Sequence, residues 1–212
     1  MRFFLLKNPK LPGDSRVTDF VQADGSKMGQ APRCAKCGNF IGMIPLMPPV
    51  RVEIDMWGDR FGDFAFGPGD ELLVARPILE KLKAASMIGL EIVGEAEIVK
   101  ISTHQKTGEI PPCYYCCRPV RSSAIVDDVK SGFVWQHAWT CDLCRLGRNL
   151  IRGRRIALIS GSWSGEDIFF PRGLSGRVLV SEKFKDVVEH AEASNCVLVP
   201  AEEFSFDFQP WK

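Results

Sequence analysis

Apolar residues spaced three and four positions apart predict two main helices. The segment 77–86 opens with proline at a position typical of the first helical residue. Its apolar face is formed by Ile78, Leu79 and Leu82. Ser181 is a suitable N-cap for a second helix over 181–190, whose apolar face contains Phe184, Val187 and Val188. Each helix is therefore predicted to have one apolar face.

Short apolar runs between glycine- and proline-rich stretches predict strands around both helices. These runs lie at 50–56, 71–75, 90–101, 155–159, 177–180 and 196–199. Residues 1–7 have the pattern of an edge strand, and 113–120 that of a short strand with half-buried faces. Residues 8–33 lack periodicity and are predicted to form a loop. Because strands and helices alternate, the predicted fold class is α+β or α/β.

The order of these elements repeats along the chain. Six features recur at an offset of 104–107 residues: Cys34 with Cys141, Arg51 with Arg155, Trp57 with Trp163, Asp63 with Asp167, Leu73 with Leu179, and Val93 with Val199. This agreement indicates an internal duplication of about 105 residues. We therefore predict a single structural unit over 1–212 with two similar halves, at about 30–100 and 138–210, each strand-rich with one main helix. The segment at about 101–137 would connect them.

Charge and hydropathy narrow the classes of function. The 212 residues carry 27 basic and 26 acidic side chains, which gives a net charge of +1. Proteins that coat nucleic acid usually have a clear basic excess, so nucleic acid is not expected as the main partner. No apolar run is long enough to cross a membrane, and the apolar stretch that ends at Lys7 is too short for a secretory signal. We therefore expect a cytoplasmic protein with no membrane partner.

Cysteine spacing indicates a metal site. Eight cysteines are many for a cytoplasmic chain, where disulfides are rare and paired cysteines usually bind metal. Three Cys-x-x-Cys spacings are present, at 34/37, 113/116 and 141/144. A structural zinc site needs four ligands in a tetrahedron, and each such turn can supply two of them. Two of the three pairs would therefore suffice for one zinc ion.

Turn chemistry and the repeat favour the first and last pairs. Gly38 directly follows the first pair, which suits a tight curl around an ion, and Gly147 follows the last pair more distantly. Two tyrosines make the middle pair bulky, and that pair has no counterpart in the repeat. We therefore predict one structural zinc ion held by Cys34, Cys37, Cys141 and Cys144. Cys113 and Cys116 remain a rival pair, and His137 is close enough in sequence to replace a ligand.

No familiar catalytic motif is evident in the sequence. The three histidines do not form a metalloprotease motif, and Trp163 occupies the centre of 161–165, where a nucleophile elbow needs serine. A closed four-cysteine zinc site also lacks an open position for water or substrate. We therefore predict a non-enzymatic protein without a small-molecule substrate. An enzyme of unknown type, with a site between the two halves, is the least favoured alternative.

Several segments resemble a known family. They are Cys34-x-x-Cys37-Gly38, 61–69, 163–169, 172–176, 181–184 and 199–203. They resemble the double-CxxCG motif family, which is abundant in myxobacteria and includes immunity proteins against swarm-exclusion (Sit-type) toxins. The likeness covers about residues 30–210, and it departs at Arg145, where the family has glycine. The resemblance implies a bacterial immunity protein that neutralises a cognate toxin by direct protein–protein binding.

A docking face for such a toxin would be acidic or aromatic. The candidate residues are Glu166, Asp167, Glu202, Glu203, Asp207 and Trp211. A structural role is the alternative for most of them. Asp167, like Asp63, would then be a turn or cap residue, and Phe204, Phe206 and Phe208 would pack a final edge strand into the core.

Nucleic-acid binding by a zinc protein is the second functional hypothesis. It rests on Trp135 and Trp139 as stacking groups and on a basic cluster formed by Arg145, Arg148, Arg152, Arg154 and Arg155. The near-neutral net charge makes a solvated basic face the simpler interpretation of this cluster.

Overall fold

The computed structural model describes residues 1–9, 17–104 and 108–208. Within these ranges the chain has an α+β fold, rich in strands and with three α-helices. The helices are α1 (Arg76–Ala84), α2 (Asp128–Ser131) and α3 (Glu182–His190). The strands are β1 (Phe3–Lys7), β2 (Thr18–Gln22), β3 (Lys27–Met28), β4 (Leu46–Met47), β5 (Val50–Met56), β6 (Phe64–Phe66), β7 (Leu72–Ala75), β8 (Leu90–Thr103), β9 (Tyr114–Ile125), β10 (Val134–Trp135), β11 (Leu150–Gly153), β12 (Ile168–Arg172), β13 (Val178–Ser181), β14 (Val197–Pro200) and β15 (Phe206–Asp207). No helix in these ranges has both the length and the apolar character needed to cross a bilayer.

One ten-stranded sheet organises the molecule, in the order β14-β1-β13-β12-β9-β7-β6-β2-β5-β8. Part of this sheet closes on itself, because β8 pairs with β5 on one side and with β9 on the other. The closed ring therefore consists of β9, β7, β6, β2, β5 and β8. The strands β12, β13, β1 and β14 continue the sheet outward from β9, which is long enough to serve both parts.

Two segments share the same order and register: the first module is β6-β7-α1-β8 and the second module is β12-β13-α3-β14. Phe64 faces Val74 in the first module, and Ile168 faces Val180 in the second. In the first module β9 lies between β7 and β8, and in the second β1 lies between β13 and β14. Each module is thus completed by a strand from outside it, β9 for the first and β1 for the second.

The two modules also hold each other by equivalent hydrogen bonds. The Asp63 carboxylate accepts hydrogen bonds from the backbone N–H and the hydroxyl of Ser194, at 2.8 and 2.7 Å. The Asp167 carboxylate accepts one from the backbone N–H of Ile88 at 3.0 Å. Ser194 follows α3 and Ile88 follows α1, so each aspartate anchors the turn after the helix of the other module. Duplication of the complete halves stays a prediction.

The apolar faces of α1 and α3 meet in one core. Ile78, Leu79 and Leu82 of α1 and Phe184 and Val188 of α3 are buried in the same hydrophobic cluster. Both predicted helices are therefore confirmed, with ends within two residues of the predicted ones. The apolar face that each sequence presents determines how the helix packs on the sheet.

Three local predictions are wrong. Residues 155–159 form only an isolated bridge at Leu158, and the strand of this region is β11, slightly earlier. The loop predicted at 8–33 contains β2 and β3. The edge strand predicted at 1–7 is an interior strand, because β1 has a partner on each side. In each case a pairing between distant segments decides the outcome, and local periodicity does not report such pairings.

Candidate metal centre

Two cysteine turns extend from two small hairpins. The first turn lies between the paired strands β3 and β4, and the second between β10 and β11. In the first turn the backbone N–H of Gly38 donates to the carbonyl of Cys34 at 2.9 Å. In the second, the N–H of Arg145 donates to the carbonyl of Cys141 at 2.8 Å. The same backbone curl therefore presents both cysteine pairs.

The four cysteines of these turns come together, as the spacing predicted. The sulfurs of Cys34, Cys37, Cys141 and Cys144 all lie within 4.8 Å of one another. Cys34 lies 3.8 Å from Cys141, and Cys37 lies 3.7 Å from Cys144, sulfur to sulfur. Sulfurs at about 2.3 Å from a tetrahedral ion are about 3.8 Å apart, so this cluster could hold one metal ion.

The surroundings of the cluster favour thiolates at one end and exclude water at the other. The backbone N–H groups of Cys37 and Lys36 point at the Cys34 sulfur and lower its pKa to about 6. Burial raises the pKa of Cys144 to about 12. A metal ion would supply the positive charge that lets all four thiols ionise together.

Side chains outside the cysteines also join the two turns. Lys36 and Asp142, each inside one Cys-x-x-Cys, form an ion pair at 2.7 Å. Ile41, Leu143 and Leu146 pack against the buried cysteines. The cluster therefore has an apolar surround and a polar outer edge.

The first turn is tied to the main sheet through an ion pair beside Gly42. Arg121 of β9 pairs with Asp70, and that carboxylate also accepts a hydrogen bond from the backbone N–H of Met43 at 2.7 Å. A Cβ atom on Gly42 would lie 1.7 Å from the Arg121 guanidinium. Glycine is required here because the backbone passes directly against the ion pair.

The rival ligands lie elsewhere. Cys116 and Cys117 are buried on β9, where burial raises the pKa of each thiol to about 12. Cys113 accepts a hydrogen bond from the Arg76 guanidinium at 3.1 Å. His137 is exposed and does not belong to the four-cysteine cluster. The middle pair therefore has the role of core and near-core side chains of a strand.

The acidic candidates between β11 and β12 have internal partners. Asp167 is buried, and its carboxylate also accepts a hydrogen bond from the Ser181 hydroxyl at 2.7 Å. Both oxygens are thus used inside the protein, so this position does not offer a free charge to a partner. Glu166 is half-buried and accepts a hydrogen bond from the Ser164 hydroxyl at 2.9 Å.

The C-terminal candidates are exposed. Glu202 pairs with Arg2 at 2.6 Å, and Glu203 lies beside it in a short 3₁₀ turn. Asp207 is exposed on β15, whereas Trp211 lies outside the described residues. Among the aromatic neighbours, Phe204 is buried, Phe206 is half-buried and Phe208 is 49% exposed.

The predicted basic cluster divides into two groups. Arg152, Arg154 and Arg155 are exposed, and Arg155 donates to the carbonyl of Lys130 at 2.6 Å. Arg145 and Arg148 instead line a cavity of 510 Å³ together with Arg177. Sequence reasoning missed Arg177 because it is remote from the cluster in the chain. The sequence did offer one signal for Arg177, because it directly follows 172–176, one of the segments that resemble the family.

In comparisons with protein-family models and with curated proteins, nothing matches this chain.

Proposed function

We propose that the four-cysteine cluster binds one zinc ion and that its role is structural. Four cysteine ligands at tetrahedral spacing are typical of structural zinc sites. Such an ion has no open coordination position, so it would stabilise the two turns and leave chemistry to other groups. It would link chain segments that are far apart in sequence, at Cys34 and Cys141.

On this scaffold we propose a non-enzymatic immunity protein of the double-CxxCG type, which neutralises a cognate bacterial toxin by binding it. The proposal is carried by the family resemblance together with the four-cysteine cluster, which brings the family-type turn at Cys34 and a second Cys-x-x-Cys turn to one place. A rigid scaffold suits this function, because binding loses less affinity to ordering when the docking surface is already fixed.

The docking face that we propose lies at the C-terminal end of the described chain. Glu203 and Asp207 are exposed, and Phe208 offers an apolar side chain beside them. Exposed aromatic groups among acidic ones suit a basic partner surface, since charge steers the encounter and aromatic side chains supply contact area. Glu202 contributes charge at the rim through its pair with Arg2.

The sharpest test is protection of cells from the product of a neighbouring toxin gene. Co-expression of the chain should rescue growth, and the two proteins should co-purify. Charge reversal by Glu203→Lys with Asp207→Lys should weaken both effects, because like charges would then meet. Glu80→Lys on the exposed side of α1 makes the same type of change away from this face, and it should leave protection intact.

Failure of the unaltered chain to protect, with the protein folded and zinc-loaded, would rule out the immunity function. Full protection by the double reversal would place docking on another surface.

We also propose that the two halves arose by internal duplication. The matching registers of the two modules and the reciprocal bonds of Asp63 and Asp167 support this origin. Both cysteine turns lie between small paired strands, as repeated units would require.

A further inference from the structure

A cavity of 510 Å³ lies beside the second cysteine turn. Its described lining contains none of the proposed docking charges, but it shares Phe208 with the proposed docking face. Its walls come from the second turn, from β11, from the loop between β12 and β13, and from β15. Its volume is in the range of small-molecule sites. Among the described residues that line it, the charged ones are Arg145, Arg148 and Arg177.

Arg148 is held firmly at the cavity wall. Its side chain is only 3% exposed, and its guanidinium makes two hydrogen bonds to Asp128, at 2.7 and 3.0 Å. The same guanidinium lies 3.8 Å from the ring centre of Trp135. Such a bidentate, stacked arginine is pre-organised to bind an oxyanion with little loss of side-chain entropy.

Gly173 lies against two of these arginines at the cavity wall. A Cβ atom at this position would lie 3.4 Å from Arg148 Nη2 and 3.6 Å from Arg145 Cβ. These are ordinary contact distances, so it is the φ of 87° that makes glycine suitable at this position.

Three buried donors in these lining residues lack an acceptor. Within the described ranges, no hydrogen-bond acceptor contacts Trp135 Nε1, Arg145 Nε or Arg148 Nε. An unsatisfied buried donor costs about 1–3 kcal/mol, so such groups usually have a partner. All three belong to residues that line the same cavity, so these residues keep unused hydrogen-bonding capacity.

Charge selects the kind of acceptor. The three arginines and Asp128 together carry a formal charge of +2, because the single carboxylate offsets one guanidinium. A phosphate monoester carries about −1.5 to −2 at neutral pH, whereas a carboxylate carries −1. The rest of the lining is largely apolar or aromatic and includes Leu174, Phe206 and Phe208.

We propose that this cavity binds a small phosphate monoester, with the phosphate against the three arginines and an apolar or aromatic body against the phenylalanines. This site goes beyond the proposed toxin binding, and it requires no contact with a toxin.

Calorimetric titration of the zinc-loaded full chain with phenyl phosphate tests the proposal. We expect saturable binding that Arg177→Gln weakens by about 10-fold or more, because a hydrogen bond to a charged group is lost. Arg177 has no ion pair or hydrogen bond within the described ranges, so its replacement should leave folding intact. Arg152→Gln is the matched control, because Arg152 lies on β11 outside the cavity. This substitution removes the same positive charge as Arg177→Gln.

The comparison ligands separate the two parts of the proposal. Benzoate and inorganic phosphate should each bind more weakly than phenyl phosphate, the first because it carries less negative charge and the second because it has no apolar body. Equal binding of benzoate would indicate a carboxylate site, and equal binding of inorganic phosphate would remove the role of the apolar lining. Absence of binding, or equal weakening by both arginine variants, would overturn the proposal.

Discussion

At the scale of single residues, the two cysteine turns obtain one backbone shape from different amino acids. Gly38 has φ of 73° and Arg145 has φ of 53°, both in the left-handed region. This conformation costs a residue with a side chain about 1–2 kcal/mol, whereas glycine adopts it without that cost. Arg145 therefore differs from Gly38 in residue type but has a similar backbone conformation.

Gly38→Ala isolates this conformational cost. No other atom lies within 4 Å of the position that the new Cβ would take, so crowding is not involved. We expect the free energy of unfolding of the zinc-loaded protein to fall by about 1 kcal/mol, measured by urea denaturation. Gly108→Ala is the control, because it also has open space but no positive φ, and it should be close to neutral. Equal effects of the two changes would contradict the argument.

At the scale of elements, the two modules begin their helices differently. The Ser181 hydroxyl accepts a hydrogen bond from the backbone N–H of Phe184 at 3.1 Å and donates to Asp167 at 2.7 Å. Ala75 occupies the equivalent position before α1 and offers no side-chain cap. Proline in the first turn of α1 partly compensates, since it lacks the N–H that a cap would satisfy. The N-terminus of α3 therefore depends more on its cap.

Ser181→Ala should destabilise the protein by about 1–3 kcal/mol, because it removes a helix cap and a buried donor to Asp167 together. Thermal and urea unfolding would measure the change. Ser205→Ala removes a hydroxyl from an exposed position and should change stability little. A loss in the Ser181 variant no larger than in this control would show that the cap contributes nothing.

Local sequence predicted the helices well because each carries its own signals. The 3.6-residue apolar period of α1 and α3 and the cap at Ser181 are visible without knowledge of the fold. The closure of the ring through β8 and β9 is not visible in the sequence, because pairing between distant strands leaves no local periodicity. The same reason explains why the interior position of β1 was missed.

The cysteine cluster was predictable to the level of its members, because pair spacing and repeat offset are both properties of the chain. The arginine cavity was not, since Arg177 approaches Arg148 only through the fold. Charge patterns along a sequence identify charged residues that are close in sequence, whereas this site combines residues from separate loops.

At the scale of the whole molecule, the cysteine cluster joins the loop after β3 to the loop after β10. These loops extend from two separate small sheets, β3-β4 and β10-β11-β15, and their connection closes a long segment of chain. A structural metal ion contributes its binding free energy to folding, so removal of the ion should lower the free energy of unfolding of the whole molecule.

Metal analysis should find about one zinc ion per chain, lost in Cys34→Ala and in Cys141→Ala. Chelation should lower the melting temperature by at least about 10 °C, given about 2–4 °C per kcal/mol at this chain length. Cys113→Ala is the matched control and should retain the ion, because Cys113 lies outside the four-cysteine cluster. Zinc loss in that variant, or a metal-free protein of equal stability, would contradict the proposed site.

The exchange of β1 and β9 between modules has a consequence for synthesis on the ribosome. The first module can be completed soon after β9 emerges, because β7 and β8 have already been made. β1 must wait for β13 and β14, so Phe3 can meet Ser181 only after that residue has been synthesised. Until then its apolar residues Phe4, Leu5 and Leu6 remain without their final partners. We therefore expect the nascent chain to carry an unpaired apolar strand until β13 and β14 have been made, with a risk of aggregation during that time.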